Sequence, residues 1–279
     1  MNQNLFKPTY LKQLCLDYGL SPSKKYGQNY LISDAPIRKM LVSADVKAGD
    51  SVVEIGPGFG VLTFALADAG ANVIAFEIER KLQQYWDEHK LSNVEMVWGN
   101  VLNKIQDTSK KIQEFKVVAN LPYQITSQVL RTVLELEHPP TSMTVMVQKE
   151  VAERMCAKPS ARDMSVLAVS VQYYGVPHMV AKVMRGNFWP VPGVDSAIVH
   201  IDCHTERASR EEQAYFFDVV KAGFANKRKQ LWKNLSIKLH IDGDVVKQMV
   251  RDVMGNEKVR AQELGVEEWR EMVRQLKKT

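Results

Sequence analysis

Short apolar runs alternate with stretches of helical spacing along residues 1–205. Each run is too short for a helix and is bounded by turn-forming residues, which is typical of buried strands. The intervening stretches place apolar side chains three and four positions apart, as on one helix face. The alternation predicts an α/β fold with a mostly parallel sheet and a hairpin-like end. Strands are predicted at 51–55, 72–76, 94–98, 115–119, 142–147, 180–183 and 197–201, and helices at 9–18, 36–44, 61–67, 81–89, 125–136, 149–155 and 164–174.

After residue 205 the strand pattern stops, and helical spacing continues to the end of the chain. Helices are predicted at 211–224, 245–253 and 266–276. The change in pattern predicts two domains. A Rossmann-like domain with an N-terminal helical arm would span 1–205, and a small all-helical domain would span 206–279.

A glycine-rich turn, Gly56-Pro57-Gly58-Phe59-Gly60, joins the first predicted strand of the sheet to a helix. Glycines let the backbone approach a ligand, and the helix start offers free N–H groups. Glu77 ends the next strand, where a carboxylate can bond ribose hydroxyls. The spacing lacks the third glycine of a dinucleotide fingerprint, and Glu54 would repel phosphate. The turn therefore favours S-adenosylmethionine, a phosphate-free cation, with a dinucleotide or a mere packing turn as alternatives.

The tetrapeptide Asn120-Leu121-Pro122-Tyr123 follows the buried run 115–119, at the strand end where open α/β sheets bind ligands. Proline stiffens the bend, the Asn120 amide offers donors and an acceptor, and the Tyr123 ring offers a stacking face. Together they suit a flat, amine-bearing nucleobase. An ordinary turn in which Asn120 bonds its own backbone is the alternative. Asn100, at another strand end, could bond the adenine amine of the cofactor or be a turn asparagine.

Two further segments carry aromatic residues beside irregular sequence. Residues 186–196 hold Phe188 and Trp189 next to alternating prolines, and this segment is predicted to lack regular structure. One of the two rings could form a wall opposite Tyr123, or both could pack on the sheet edge. Residues 21–31 mix basic and aromatic side chains, and they are predicted to form a loop that enters the site, with a solvated arm as the alternative.

Composition narrows the class of protein. The chain has 279 residues, 45% hydrophobic and 25% charged, as in an ordinary globular protein. Its three cysteines are far apart, which argues against a disulfide framework or a zinc site. The chain begins without a signal-peptide pattern, and no apolar run is long enough for a bilayer. These features predict a cytoplasmic protein that lies outside membranes and holds no metal.

The net charge is +5, and basic residues cluster at Lys227-Arg228-Lys229, between two helical stretches. Such a cluster predicts contacts with RNA phosphates. Surface charge runs are more often solvated faces, and that remains the alternative.

Four motifs follow one another along the chain: Gly27-Gln28-Asn29-Tyr30-Leu31, with Tyr30 where phenylalanine is usual, Glu54-Ile55-Gly56-Pro57-Gly58-Phe59-Gly60, Asn120-Leu121-Pro122-Tyr123 and Phe188-Trp189-Pro190-Val191-Pro192. Together, in this order, they resemble the ribosomal RNA adenine dimethyltransferases over nearly the whole chain. Tyr18-Gly19 and Arg260-Ala261-Gln262-Glu263-Leu264 also resemble the bacterial small-subunit branch, whereas the large-subunit relatives of macrolide resistance share the catalytic half.

The resemblance implies methylation of two adjacent adenines near the 3′ end of small-subunit ribosomal RNA, with S-adenosylmethionine as methyl donor. A large-subunit methyltransferase and a non-catalytic ribosome-assembly factor are the alternatives, and the protein is expected to act as a monomer. Asn100 stands where the family has aspartate, and Gly193 where lysine is common. The cofactor residues implied are Asn29, Leu31, Gly56, Gly58, Glu77, Asn100 and Asn120, and the catalytic residues are Asn120, Leu121, Pro122, Tyr123 and Phe188.

Overall fold

The computed structural model describes residues 3–21 and 29–278. The chain divides into two compact units. The first contains the described residues up to 152 together with 175–205, and the second contains 153–174 and the described residues from 206 onward. The predicted segment 21–31 lies mostly outside the described residues, as do Gly27 and Gln28.

The first unit is built on a seven-stranded sheet of order β4-β3-β2-β5-β6-β9-β7. Strands β2 to β6 run parallel to one another, and β9 pairs antiparallel with both β6 and β7. The predicted α/β class, a Rossmann-like sheet followed by an all-helical C-terminal part, is confirmed. The strands are β1 Tyr30–Leu31, β2 Ser51–Ile55, β3 Asn72–Glu77, β4 Val94–Trp98, β5 Lys116–Asn120, β6 Ser142–Gln148, β7 Gly175–Val183, β8 Phe188–Trp189 and β9 Ser196–Cys203.

The helices follow the predicted alternation with two additions. Residues 101–109 and 231–239 form helices that the spacing did not predict, the first of them capped by Asn100. In the first of them only Val101, Leu102 and Ile105 of nine residues are apolar, which leaves few positions that define a helical spacing. The helices are α1 Pro8–Asp17, α2 Asp34–Ser43, α3 Val61–Asp68, α4 Gln83–Glu88, α5 Val101–Ser109, α6 Thr126–Leu134, α7 Lys149–Met155, α8 Val166–Tyr174, α9 Arg210–Gly223, α10 Leu231–Leu239, α11 Gly243–Met254 and α12 Val266–Leu276.

The core of the first unit lies between the sheet and the helices α2 and α3. Leu62 and Leu66 of α3 share one buried cluster with Ile37 and Met40 of α2. A second cluster gathers around Phe59, in the glycine turn, and includes side chains of α1 and α4. The turn that leaves β2 is therefore held by packing on both sides, which positions it firmly at the sheet edge.

Strand β7 begins earlier than predicted, directly after α8 ends. It contains Pro177 and an irregular register between Met179 and Ala181. Because β7 is the last strand of the sheet, proline is tolerated there and most side chains face outward. The alternating pattern that would have predicted its first half is consequently absent.

The segment 186–196 was predicted to lack regular structure, which is confirmed for 190–195 but wrong for Phe188 and Trp189. These two residues form β8, which pairs antiparallel with β1 and sets Leu31 opposite Phe188. The backbone of Ile32 also donates to the carbonyl of Asn187 at 2.8 Å. Residues before proline favour extended conformations. The alternating prolines therefore favour an extended backbone here, which can pair with a strand that is distant in sequence.

Residues 153–174 were placed in the first domain by the sequence, but they pack with the C-terminal helices. Tyr173 and Tyr174 of α8 form an aromatic cluster with Phe216 and Phe217 of α9. The Tyr174 hydroxyl also donates to the side chain of Gln213 at 2.8 Å. Because these rings pack together, α8 belongs to the second unit. A separate RNA-contacting role for that unit stays a prediction.

Candidate active site

One cavity opens where β2, β3, β4 and β5 end. The carboxyl ends of parallel strands lie at the same edge, so turns distant in sequence meet there. Every residue predicted for the cofactor or for catalysis lines this cavity. They are Asn29, Leu31, Gly56, Gly58, Glu77, Asn100, Asn120, Leu121, Pro122, Tyr123 and Phe188.

The glycine turn owes its shape to left-handed backbone. Gly56, Gly58 and Gly60 have φ values of +74°, +57° and +87°, which L side chains rarely adopt. A Cβ on Gly60 would also lie 2.8 Å from the rings of Phe64 and Trp86. The last glycine is therefore required by packing against α3 and α4, and the first two shape the cavity floor.

Glu77, at the end of β3, is fixed in place by backbone donors. Its Oε2 accepts from the N–H of Gly58 at 3.1 Å, and its Oε1 accepts from the N–H of Glu79 at 2.8 Å. Burial raises the pKa of the carboxyl above its usual range, and these backbone hydrogen bonds offset part of the rise. The geometry suits a carboxylate that accepts hydrogen bonds from a ribose.

Glu54, on β2, is a second buried carboxyl in the cavity wall. It is only 2% exposed, and its Oε2 has no hydrogen-bond partner among the described residues. Burial and the nearby Glu77 raise the pKa of Glu54 to about 8. Thr63 opposes this rise, although its hydroxyl makes no hydrogen bond with Oε2 in this geometry. Without a ligand the group is mainly neutral at pH 7, so it lacks the fixed negative charge that the sequence suggested.

Asn100 serves as the N-cap of α5. Its Oδ1 accepts from the backbone N–H of Leu102 at 3.0 Å. A carbonyl oxygen has two lone pairs, so the same atom can accept a second hydrogen bond from a ligand amine. The two alternatives for Asn100, a turn residue and a ligand contact, are thus compatible.

The tetrapeptide is anchored on both sides of its bend. Asn120 is the last residue of β5, and the N–H of Leu121 donates to the carbonyl of Met146 at 3.1 Å. The carbonyl of Pro122 accepts from the N–H of Ile125 and from the hydroxyl of Thr126 at the start of α6. The bend is therefore stiff through hydrogen bonding as well as through proline.

Tyr123 makes a contact that the sequence did not predict. Its hydroxyl lies 2.7 Å from the hydroxyl of Ser196, the first residue of β9. Ser196 is fully buried, and Phe188, which is 1% exposed, also lines the cavity. A polar residue directly before the predicted strand 197–201 was the available signal, but its partner is set only by the fold.

The basic cluster lies in the second unit. Lys227, Arg228 and Lys229 are exposed in the connection between α9 and α10. Asn234 fixes this connection, because its amide donates to the carbonyls of Gly223 and Asn226 at 2.7 and 3.0 Å. The residues are accessible to a phosphate backbone, and the contact with RNA stays a prediction.

The described residues contain neither a membrane-spanning helix nor a cluster of metal-binding side chains. Residues 3–21 and 29–278 contain no helix with the length and apolar character needed to cross a membrane. The same residues contain no cluster of three or more His, Cys, Asp or Glu side chains that could hold a metal ion.

A family model described as "Ribosomal RNA adenine dimethylase" matches residues 20–278. The chain belongs to the ribosomal RNA adenine dimethylase family. The resemblance drawn from the motifs is confirmed, and with it the enzyme class, an adenine dimethyltransferase acting on ribosomal RNA. The family also favours this class over a dinucleotide-dependent oxidoreductase.

Relatives in the family match most of the chain. A "Ribosomal RNA small subunit methyltransferase A" of Dehalococcoides mccartyi is 38% identical over 265 residues, covering 94% of this chain and 90% of the relative. A protein of the same name from Listeria welshimeri is 35% identical over 247 residues, covering 85% of this chain and 84% of the relative.

Solved structures of two other proteins share the fold of this chain. A dimethyladenosine transferase from Plasmodium falciparum superposes with a TM-score of 0.75 at 22% identity, covering 89% of this chain and 97% of that one. The 23S rRNA methyltransferase ErmE superposes with a TM-score of 0.67 at 24% identity, covering 88% and 99%. The fold of the dimethylase family therefore extends across both units of the chain.

Proposed function

We propose that this protein transfers methyl groups from S-adenosylmethionine to the exocyclic amines of two adjacent adenines near the 3′ end of small-subunit ribosomal RNA. The product is dimethyladenosine, made during ribosome biogenesis in the cytoplasm by a monomeric enzyme. The observation that carries the proposal is the single cavity that joins the stiff Asn120–Tyr123 bend to the glycine turn and Glu77. The names of the small-subunit relatives support the choice of RNA.

The cavity suits S-adenosylmethionine because its acidic groups match a cation that bears a ribose and lacks phosphate. Glu77 is held ready for ribose hydroxyls, and Asn100 can accept from the adenine amine. Asn29, Leu31, Gly56 and Gly58 complete the wall on the cofactor side. When bound, S-adenosylmethionine supplies a methyl group made electrophilic by the sulfonium.

The target adenine needs positioning, because the lone pair of its amine is delocalised into the ring. The side-chain oxygen of Asn120 and the carbonyl of Leu121 accept the two amine hydrogens, which favours a pyramidal nitrogen aimed at the methyl group. Such positioning can lower a barrier by roughly 7 to 11 kcal/mol in the best cases. Asn120 thus orients the nucleophile without itself forming a covalent bond.

The adenine ring leaves the RNA stack and lies between Tyr123 and Phe188. Base stacking on an aromatic side chain contributes about 1 to 3 kcal/mol, which offsets part of the cost of extruding the base. As each N–C bond forms, the S–C bond of the donor breaks and one amine proton passes to solvent, so after the first transfer the amine retains one hydrogen and a lone pair. A second transfer therefore needs fresh cofactor and the same residues.

The test offers labelled S-adenosylmethionine and three substrates: unmethylated small subunits, large subunits and naked ribosomal RNA. Label at two adjacent adenines near the 3′ end of the small-subunit RNA is the expected result. Label confined to large subunits would identify a large-subunit methyltransferase instead. Binding to immature small subunits without any transfer would identify an assembly factor.

A further inference from the structure

Glu54 is a buried carboxyl of the cavity that lacks part of its hydrogen bonding. Its Oε2 has no partner among the described residues, its side chain is 2% exposed, and it lines the same wall as Glu77. An unpaired buried carboxyl costs stability, so a site that retains one has a use for it on binding.

Among the residues that the structure describes, no positively charged group contributes to the ionisation of Glu54. Strand β3 contributes Glu77, whose own neighbour Glu79 is also acidic. Strand β5 contributes Val117 and Val118 at this level, and α3 contributes the neutral Thr63. A cationic ligand in the cavity would supply the opposite charge that favours ionisation of this carboxyl.

The two carboxyls of the cavity differ in the hydrogen bonds that support their ionised form. Glu77 already accepts hydrogen bonds from two backbone N–H groups, which support its charge without a ligand. Glu54 lacks such support at Oε2, and burial raises its pKa to about 8, which favours the protonated carboxyl at pH 7 in the free protein. An opposite charge nearby favours the ionised form of an acid, whereas an uncharged ligand does not.

We propose that Glu54 is the counter-ion for a cationic group of S-adenosylmethionine and gives up its proton as the cofactor binds. The O–H bond of the carboxyl breaks, the electron pair stays on oxygen, and the proton passes to solvent. Glu54 is thus a specificity-determining residue that selects a cationic cofactor. The inference rests on the proposed function for the identity of that cofactor.

Calorimetry measures the number of protons released when the cofactor binds. Binding of S-adenosylmethionine is titrated near pH 7 in buffers of different ionisation enthalpy, with wild type and Glu54→Gln. We expect wild type to release close to one proton more than the variant, because the pKa of about 8 leaves the free carboxyl mainly protonated. Affinity of wild type should rise with pH, at most about tenfold per unit, and level off above about pH 8.

Two variants and three ligands show whether Glu54 releases the proton and whether a cationic group of the ligand causes the release. In Glu54→Gln the part of the dependence of cofactor affinity on pH that is due to Glu54 should vanish. The glutamine amide has the same shape as the protonated acid and stays neutral. Glu95→Gln, which changes an exposed carboxyl on β4, should behave as wild type. S-adenosylhomocysteine keeps the ammonium but lacks the sulfonium, and 5′-methylthioadenosine lacks both.

The ligands also identify the cationic group. Release with S-adenosylmethionine and S-adenosylhomocysteine assigns the ammonium as partner, and release with S-adenosylmethionine alone assigns the sulfonium. Equal release with 5′-methylthioadenosine, equal release in Glu54→Gln, or none in wild type would overturn the inference. The wild-type measurement stands even if the variant fails to fold.

The inference and the proposed function can fail separately. Proton-linked cofactor binding without transfer to small-subunit RNA would refute only the function. Transfer with normal specificity but with no proton released on binding would refute only the role of Glu54.

Discussion

The hydroxyl of Tyr123 lies 2.7 Å from the hydroxyl of Ser196. This contact joins the bend after β5 to the first residue of β9, 73 positions further along the chain. Burial raises the pKa of the Tyr123 phenol, and the hydrogen bond with Ser196 offsets part of that rise. The proposed stacking ring is therefore held at its rim, and Ser196 acts as a positioning residue.

Ser196→Ala and Tyr123→Phe remove the same hydrogen bond, which contributes about 0.5 to 1.5 kcal/mol. We expect each to lower kcat in methyl transfer by roughly two- to tenfold, with the double variant no worse than the single ones. Tyr123→Ala also removes the stacking face and should be severely impaired. Equal losses in Tyr123→Phe and Tyr123→Ala would assign the chemistry to the hydroxyl instead.

Asn120→Ala should abolish transfer and leave most cofactor binding intact. The variant loses the acceptor for the amine hydrogen, and loss of one well-placed polar group at a reacting centre costs roughly a hundred- to a thousandfold in rate. The assay pairs a tritiated-methyl transfer with a direct binding titration. Asn103→Ala, an exposed residue of α5, is the control. Full activity of Asn120→Ala would refute its role.

Replacing Lys227, Arg228 and Lys229 together with alanine should weaken RNA binding and flatten its dependence on salt. Each phosphate contact contributes about 0.7 to 0.9 to the slope of log affinity against log salt, so the slope should fall by roughly two. Three exposed lysines of the same unit, Lys238, Lys258 and Lys278, form the matched control. An unchanged slope would show that the cluster is a solvated face.

Gly223→Ala should destabilise the second unit. A Cβ there would lie 2.4 Å from the ring of Trp269 and 2.9 Å from Leu231, and overpacking of this kind costs about 1 to 3 kcal/mol. Gly243→Ala is the matched control, because its Cβ would come no closer than 3.4 Å to a neighbour. Thermal unfolding should separate the two variants. Similar midpoints would show that the Trp269 packing can shift freely.

Glu54→Gln should stabilise the cofactor-free protein at alkaline pH. The folded pKa of about 8 lies above the ordinary value of 4.5, so stability from the protonated group is complete below pH 4.5 and is lost as pH rises towards 8. Glutamine has no proton to lose. Since one pKa unit corresponds to about 1.4 kcal/mol, the variant should be more stable by at least that amount near pH 8.

Urea unfolding at several pH values measures this difference. Wild type and Glu54→Gln should be similar near pH 4.5 and diverge as pH rises. Glu95→Gln should follow wild type throughout. A difference that stays constant with pH would indicate a packing effect of the amide, and the buried charge would not be its cause.

Much of the candidate site could be predicted from sequence because its residues lie at strand ends. The glycine turn, Glu77 and Asn120 each follow a buried run, and parallel strands bring their carboxyl ends to one edge. Helix α5 was missed because only Val101, Leu102 and Ile105 of its nine residues are apolar, which leaves few positions that define a helical spacing. The pairing of β8 with β1 was missed because nothing local identifies a partner more than a hundred residues away.

The sequence by itself determined the main alternation of strands and helices, the glycine turn and the stiff bend at Pro122, because these depend on local sterics and spacing. Only the tertiary structure decided which groups are buried together. It set Ser196 beside Tyr123 and left Oε2 of Glu54 without a partner among the described residues. Hydrogen bonding and the pKa of a carboxyl depend on neighbours and on exclusion of water, which strands distant in the chain create when they pack.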